Sequence, residues 1–430
     1  MEKISRRELL KLSALLGTTA ALGSDVYAKG GKGKGKKSKA HVVVIGGGFG
    51  GATAAKYLRR MDNNIEVTLI EKNKEYITCP MSNAVIAGIK DMKYITHSSN
   101  GLKKHGVKII FDHVEQIDAA AKSVKLKSGK KLTYDKLVVS PGISFLYDAV
   151  KGYSEEGAEI MPHAWKAGEQ TKLLISQLKA MPANGKFIIA PPDNPFRCPP
   201  GPYERVSMVA HYMKKHKPEG KIIILDAKDT FAKKPLFDQG WEALYPGMVE
   251  FVAGSKGGKV TSVDVKTKTL ETSSGKHQGD VVNLIPPQQA GKIAIDAGLA
   301  KNGWCPVKQD TFESEIHKDV YVIGDAAMAG AMPKSGFSAN SQAKVCAAAI
   351  VASVNGINMP DPSYINTCYS LVGPDYGISV AAVYNFTSGK IEPVAGSGGV
   401  SPMEAGDDFR KQEADYAHGW YKNIISDTFS

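Results

Sequence analysis

No stretch of the chain approaches the roughly 18 consecutive apolar side chains of a spanning helix, so no membrane span is expected. Cysteine is scarce, with five in 430 residues: Cys79, Cys198, Cys305, Cys346 and Cys368. None belongs to a Cys-x-x-Cys pair, which excludes a thioredoxin-type motif. None belongs to Cys-x-x-Cys-His, so this chain attaches no c-type haem itself. A second Gly-x-Gly-x-x-Gly is also missing. KFIIAPPDNPFRCPPGPYER, Lys186 to Arg205, begins as a nucleotide-binding strand, and the later KIIILD ends in an acid, Asp226. Between that strand and the next helix stand Pro191, Pro192, Pro195, Pro199, Pro200 and Pro202 with a lone glycine. Those prolines remove backbone donors and stiffen the turn, leaving no cradle for a pyrophosphate and no expected NAD(P) site.

What is present sorts by position. Apolar content of 43% and charge of 23% suit a globular chain with room for two or three domains. The formal charge of +12 is concentrated near the start, where KGGKGKGKKSK holds six lysines. This reads as a solvated linker, and no nucleic-acid partner is expected. Before it, SRRELLKLSALLGTTAALGSDVYA places Arg6 and Arg7 ahead of a short apolar run, with small residues at a cleavage point, Val26-x-Ala28. The pattern resembles a twin-arginine export signal, which carries folded, cofactor-loaded proteins. The periplasm, where disulfides persist, is the expected compartment.

HVVVIGGGFGGATAAKYLRR supplies the one complete phosphate motif. A buried strand runs into Gly46, Gly48 and Gly51, which allow the tight turn, the close backbone approach and the close helix packing. The helix N-terminus offers free N–H groups to the phosphates. IEVTLIEKN then ends a second strand at Glu71, beside Lys72, where a carboxylate suits ribose hydroxyls. YDKLVVSPG, ending at Gly142, and DVYVIGDAA, carrying Asp325, resemble the second and third signatures of the two-dinucleotide-binding flavoprotein disulfide reductases. That resemblance favours FAD at the first site.

Cys346, in SQAKVCAAAIVASV, reads as a packed apolar side chain, and Cys305, in NGWCPV, as structural. EYITCPMSNAVIAG, FRCPPGPYER and INTCYSLVGPDYGISVAAVY resemble the flavoprotein subunit of flavocytochrome c sulfide dehydrogenase. The Cys-Pro-Pro-Gly-Pro-Tyr-Glu-Arg string is the most specific part. The resemblance implies FAD linked covalently through Cys79, a redox disulfide between Cys198 and Cys368, and Glu204 as an acid–base group. It also implies a c-type cytochrome partner that carries the haem, and sulfide as substrate. On residues alone, a structural bridge is the favoured reading of Cys198 and Cys368, and Glu204 reads equally as a solvated first-turn carboxylate.

The expected architecture is α/β. Two doubly wound Rossmann-like domains, of the two-dinucleotide-binding, disulfide-reductase type, are joined by a small α+β C-terminal domain. The expected boundaries are a signal at 1–28, a linker at 29–40, a discontinuous FAD domain at 41–151 and 291–360, a nucleotide-like domain without nucleotide at 152–290, and a flavin-covering, partner-docking domain at 361–430. A sulfide:quinone oxidoreductase is the rival enzyme, but it would need a C-terminal membrane-inserting amphipathic pair, for which AHGWYKNIISDTFS is short and polar. An NADH-dependent flavoprotein reductase lacks its glycine motif here. A flavin-loaded electron relay is the non-enzyme reading.

Overall fold

Runs of β-branched residues bounded by glycine and charge form strands that can be buried on both faces. The computed structural model describes residues 39–430; the twin-arginine segment and linker residues 29–38 lie outside them. Five strands form the first parallel sheet, in the order Val320–Val322, Lys136–Val139, Ala40–Ile45, Ile65–Glu71 and Lys108–Phe111. Two small-residue helices, Phe49–Met61 and Gly336–Asn355, cross this sheet and pack on each other. The sheet therefore takes its outer strand from beyond residue 319, and the connection leaves and returns through a two-stranded link, Ile143–Phe145 with Gln288–Ala290. The segment Val114 to Thr133 is an antiparallel meander of three strands.

The intervening chain repeats the pattern. Its parallel sheet runs Val249–Val252, Lys221–Leu225, Lys186–Ala190 and Val281–Leu284. In both sheets the first strand lies inside, and the strand order reverses beside it. Ligands of doubly wound folds bind at the carboxyl ends of the strands at that reversal. Gly46 to Gly51 follows the first such strand end, and the proline-rich loop carrying Cys198 follows the second. The C-terminal part is a long hairpin, Ser363–Gly373 with Tyr376–Thr387, followed by the helix Asp407–Phe429. That helix buries Ala414, Ala417, Tyr421, Ile424 and Phe429 against the rest. Among the described residues, no helix is long and apolar enough to cross a membrane.

Candidate active site

The glycine loop is sterically committed. Gly46 adopts φ +95°, and a Cβ there would stand 2.3 Å from the Ser140 carbonyl oxygen. A Cβ on Gly51 would stand 1.9 Å from the Gly46 oxygen, and one on Gly48 3.0 Å from the Tyr76 hydroxyl. The Glu71 carboxylate braces the loop from the next strand. It accepts the Gly47 N–H at 2.6 Å and the Asn73 N–H at 2.9 Å. Lys72 is exposed. Gly142 turns with φ +68°, and its carbonyl accepts the Gly291 N–H at 2.8 Å, at the link between the two sheets.

Among the buried polar atoms without a protein partner are Asp325 Oδ1, Arg197 Nε and Gln288 Nε2. Such atoms are costly unless something satisfies them. Two donors and one acceptor suit a group that offers both phosphate or carbonyl oxygens and hydroxyls, and FAD offers all of these. Burial pushes the Asp325 carboxyl up, against the pull of Arg197 and Lys334. Lys334 donates to the Asp325 and Ala327 carbonyls at 2.8 and 3.0 Å, and burial lowers its ammonium to about 8. The Cys79 thiol donates to the Trp165 carbonyl at 3.3 Å, and the Arg197 guanidinium donates to the same oxygen. Cys79, Arg197 and Asp325 thus form one electrostatic group.

The other two thiols come from distant elements. Cys198 precedes the helix Gly201–His216 rather than lying within it, so only the end of the six-residue step to Glu204 is helical. It sits at φ +58°, its N–H bonded to the Lys334 carbonyl at 2.8 Å and its carbonyl to the Gly201 N–H at 2.8 Å. Gly201 leaves the thiol its space: a Cβ there would stand 2.9 Å from the Cys198 sulfur and 2.7 Å from the Trp165 ring. Cys368 occupies the middle of the hairpin's first strand, opposite Val380. Burial pushes the Cys198 thiol well up, and Cys368 and Glu204 push it further, against Arg197. Burial also raises Cys368, opposed by Lys233 and reinforced by Glu204. All five cysteines are free thiols in the structure. Cys305 and Cys346 are wholly buried in the core, where burial pushes Cys305 to about 12.

Glu204 is tied into the protein rather than solvated, contrary to the first-turn surface alternative. One carboxylate oxygen accepts the Leu371 N–H at 2.9 Å, on the strand that carries Cys368. The other accepts from Asn83 Nδ2 at 2.8 Å. Burial raises its carboxyl despite these donors and despite Lys233 and Arg205. Arg205, fully buried, bonds Asn83, Asn283 and the carbonyls of His163 and Ala164. The structure therefore brings Cys198, Cys368 and Glu204 together, joins Cys79 to Asp325 through Arg197, and leaves Lys72 at the rim.

In the second sheet, Asp226 stands where a nucleotide ribose would require it, but it is fully buried and engaged. It accepts from the Tyr203 hydroxyl, from Lys228 Nζ at 2.7 Å and from the Lys228 N–H at 3.0 Å. Phe231 stacks on the Tyr203 ring. The helix that begins after the proline-rich turn thus supplies the phenol that occupies the acid. Sequence reasoning missed Arg197, Asn83, Gly201 and Lys233. Arg197 and Gly201 stand inside the quoted Cys198 string and were discoverable there.

Two parallel switch-point sheets, one complete glycine cradle and one crevice closed by a cysteine loop define a flavoprotein of the two-dinucleotide fold. Residues 40–174 match the pyridine nucleotide-disulphide oxidoreductase family. Residues 171–286 match the central domain of the sulfide dehydrogenase [flavocytochrome c] flavoprotein chain, and residues 360–429 the flavin-binding domain of flavocytochrome c sulphide dehydrogenase. The sulfide dehydrogenase [flavocytochrome c] flavoprotein chain of Chlorobaculum thiosulfatiphilum is 64% identical over 44 residues, which are 92% of that relative and 10% of this chain. The chain belongs to the flavocytochrome c sulfide dehydrogenase flavoprotein family. The mitochondrial sulfide:quinone oxidoreductase of Mus musculus is 24% identical over 315 residues, 67% of this chain and 66% of that relative. The chain thus spans just under two thirds of that relative's length. In fold, the sulfide:quinone oxidoreductase of Aquifex aeolicus superposes with a TM-score of 0.68 at 19% identity, covering 90% of this chain and 92% of that one.

Proposed function

We propose that this chain oxidises sulfide at a Cys198–Cys368 redox pair beside FAD and delivers the electrons to a c-type cytochrome. The observation that carries the reading is the convergence of two cysteines from different domains on one partly buried carboxylate, Glu204. A purely structural bridge has no use for a carboxylate held next to it at the expense of its solvation. In the oxidised pair, HS⁻ attacks one sulfur, a persulfide forms there, and the other cysteine leaves as a thiolate. Glu204, which burial makes a weaker acid than usual, is placed to take or return the proton. FAD, when bound, accepts two electrons together and releases them singly, as a haem acceptor requires. The Gly46–Gly51 loop and Glu71 would hold its adenosine diphosphate half, Asp325 and Arg197 its middle, and Cys79 its ring through a thioether.

The cytochrome is favoured over quinone by the match to the flavocytochrome c sulfide dehydrogenase models, and the C-terminal helix buries Ala414, Ala417, Tyr421, Ile424 and Phe429 within this chain rather than offering them to a bilayer. NAD(P) has no place in the reading, since the ribose-type acid is already bonded to Tyr203 and Lys228. The twin-arginine segment supports periplasmic work. Anaerobic titration tests the reading. Sulfide should bleach the flavin absorbance of the purified chain and NADH should not. Bleaching by NADH, or none by sulfide, overturns it.

A further inference from the structure

Lys233 is a buried cation for which the reaction above has no use. It precedes the helix Lys234–Leu244 with φ +65°, a left-handed turn unusual for a long side chain, and it is 6% exposed. Its ammonium donates to Ser370 Oγ at 2.9 Å and more weakly to the Ile378 carbonyl at 3.4 Å. Ser370 and Ile378 face each other across the hairpin. Both partners are neutral oxygens, and two neutral acceptors do not balance a buried charge. Next in sequence, Lys234 turns outward to pair with Asp238 at 2.6 Å, so the two lysines divide between surface and interior.

Cys368 is two residues from Ser370 on the same strand, so both side chains emerge on one face. The groups that favour the Lys233 charge are Cys368, then Glu204, Cys198 and Glu413. Around Cys368, Lys233 is the leading charge opposed to burial, and Glu204 acts the other way. Cys198 faces Cys368, Glu204 and Cys79, with Arg197 as its cation. Arg197 is already committed to the Trp165 carbonyl and to the Cys79 and Asp325 side. The two sulfurs of the pair therefore sit in unlike fields.

We infer that the Lys233 ammonium, as a positioning residue, makes Cys368 the thiolate of the pair and so directs HS⁻ to Cys198. The step rests on the sulfide reading above and balances as follows. A bond forms between the sulfide sulfur and Cys198, and the Cys198–Cys368 bond breaks. The proton stays on the terminal sulfur, and the electron pair of the broken bond stays on Cys368. The incoming sulfur is oxidised by two electrons and the cystine is reduced by two. In thiol–disulfide exchange the sulfur with the more stable thiolate leaves faster, so a fixed cation beside one sulfur sets the direction of attack.

The test uses the flavin-loaded full chain, reduced anaerobically with dithiothreitol and alkylated with iodoacetamide between about pH 6 and 10. Peptides containing Cys198 and Cys368 are quantified separately. Cys368 should react at lower pH than Cys198. Lys233→Met should move the Cys368 profile up by about one pH unit, about tenfold slower at neutral pH, while Lys233→Arg keeps it low. Retained flavin and an unchanged unfolding midpoint certify the variants, and Lys233→Gln replaces Met if that variant does not fold. An unmoved Cys368 profile in a folded Met or Gln variant overturns the inference, as does an equal shift of both cysteines. In sulfide-treated wild type, the trapped persulfide should be on the Cys198 peptide; its presence on Cys368 overturns the directed attack. Failure of the sulfide reading shows elsewhere, as flavin absorbance untouched by sulfide, and the alkylation profiles need no sulfide.

Discussion

Gly201 shows how closely the thiol site is fitted. Gly201→Ala would place a methyl group 2.9 Å from the Cys198 sulfur and 2.7 Å from the Trp165 ring, so one of them must shift. The expected cost is about 1–3 kcal/mol, typical of overpacking, read as a lower urea midpoint with altered Cys198 alkylation. Cys79→Ser should keep FAD, because the glycine loop makes the phosphate contacts. It should lose the flavin on acid denaturation, whereas wild type stays yellow and yields a flavin-bearing Cys79 peptide. Wild type that releases all its flavin sinks the thioether. Glu204→Gln should slow sulfide-driven flavin reduction by about 10²-fold or more. The same carboxyl carries a linkage signature, since burial raises its folded pKa above the unfolded value. The native state then holds the proton longer, and stability falls as pH rises from the ordinary glutamate range through the raised value. Glu204→Gln should flatten that part of the stability curve. An unchanged curve and rate would return Glu204 to a packing role.

At the scale of elements, the last strand of the first sheet is fastened by charge. Asp319 accepts from Lys122 at 2.6 Å and from Lys136 at 2.5 Å, reaching the meander and the neighbouring strand at once. Burial pulls its carboxyl up, but the two lysines prevail and hold it below the usual range. Its contribution is therefore present above the unfolded pKa and lost as pH falls through the folded one. Asp319→Asn should cost about 1–3 kcal/mol at neutral pH. The gap to wild type in urea midpoint should close in acid. The elements themselves were legible. Valine-rich runs ending in glycine specify parallel strands, and CYSLVG with GISVAAVYNF specifies the hairpin, because burial imposes those patterns locally. The site was legible where residues stand in recognisable strings, as Cys198 and Glu204 do. Lys233 lies in a charged stretch that reads as surface, and only the hairpin's arrival turns it inward. Asn83 and Arg205 likewise acquire meaning from partners more than a hundred positions away.

For the whole molecule, the proposed transfer to a c-type cytochrome predicts a separate haem-bearing partner. A smaller, haem-staining chain should co-purify from the periplasm in stoichiometric amount. Recovery of the chain alone, with rapid sulfide-dependent quinone reduction, would favour the quinone enzyme instead. The C-terminal helix packs on the helix that follows the glycine loop. Asp427 accepts from the Tyr57 hydroxyl at 2.7 Å and from Asn340 at 2.9 Å, and Phe429 packs on Phe49 and Tyr76. Tyr57 and Asp427 are 370 positions apart. At a synthesis rate of about 5–20 residues per second, Tyr57 waits roughly 20–70 s for its partner. During that interval the glycine loop and its helix exist on the ribosome without the wall that shuts them in. Flavin captured before the end of synthesis would meet an open cleft, and flavin arriving afterwards a closed one. Cofactor supply during translation, rather than its final concentration, would then set how much of the protein is loaded.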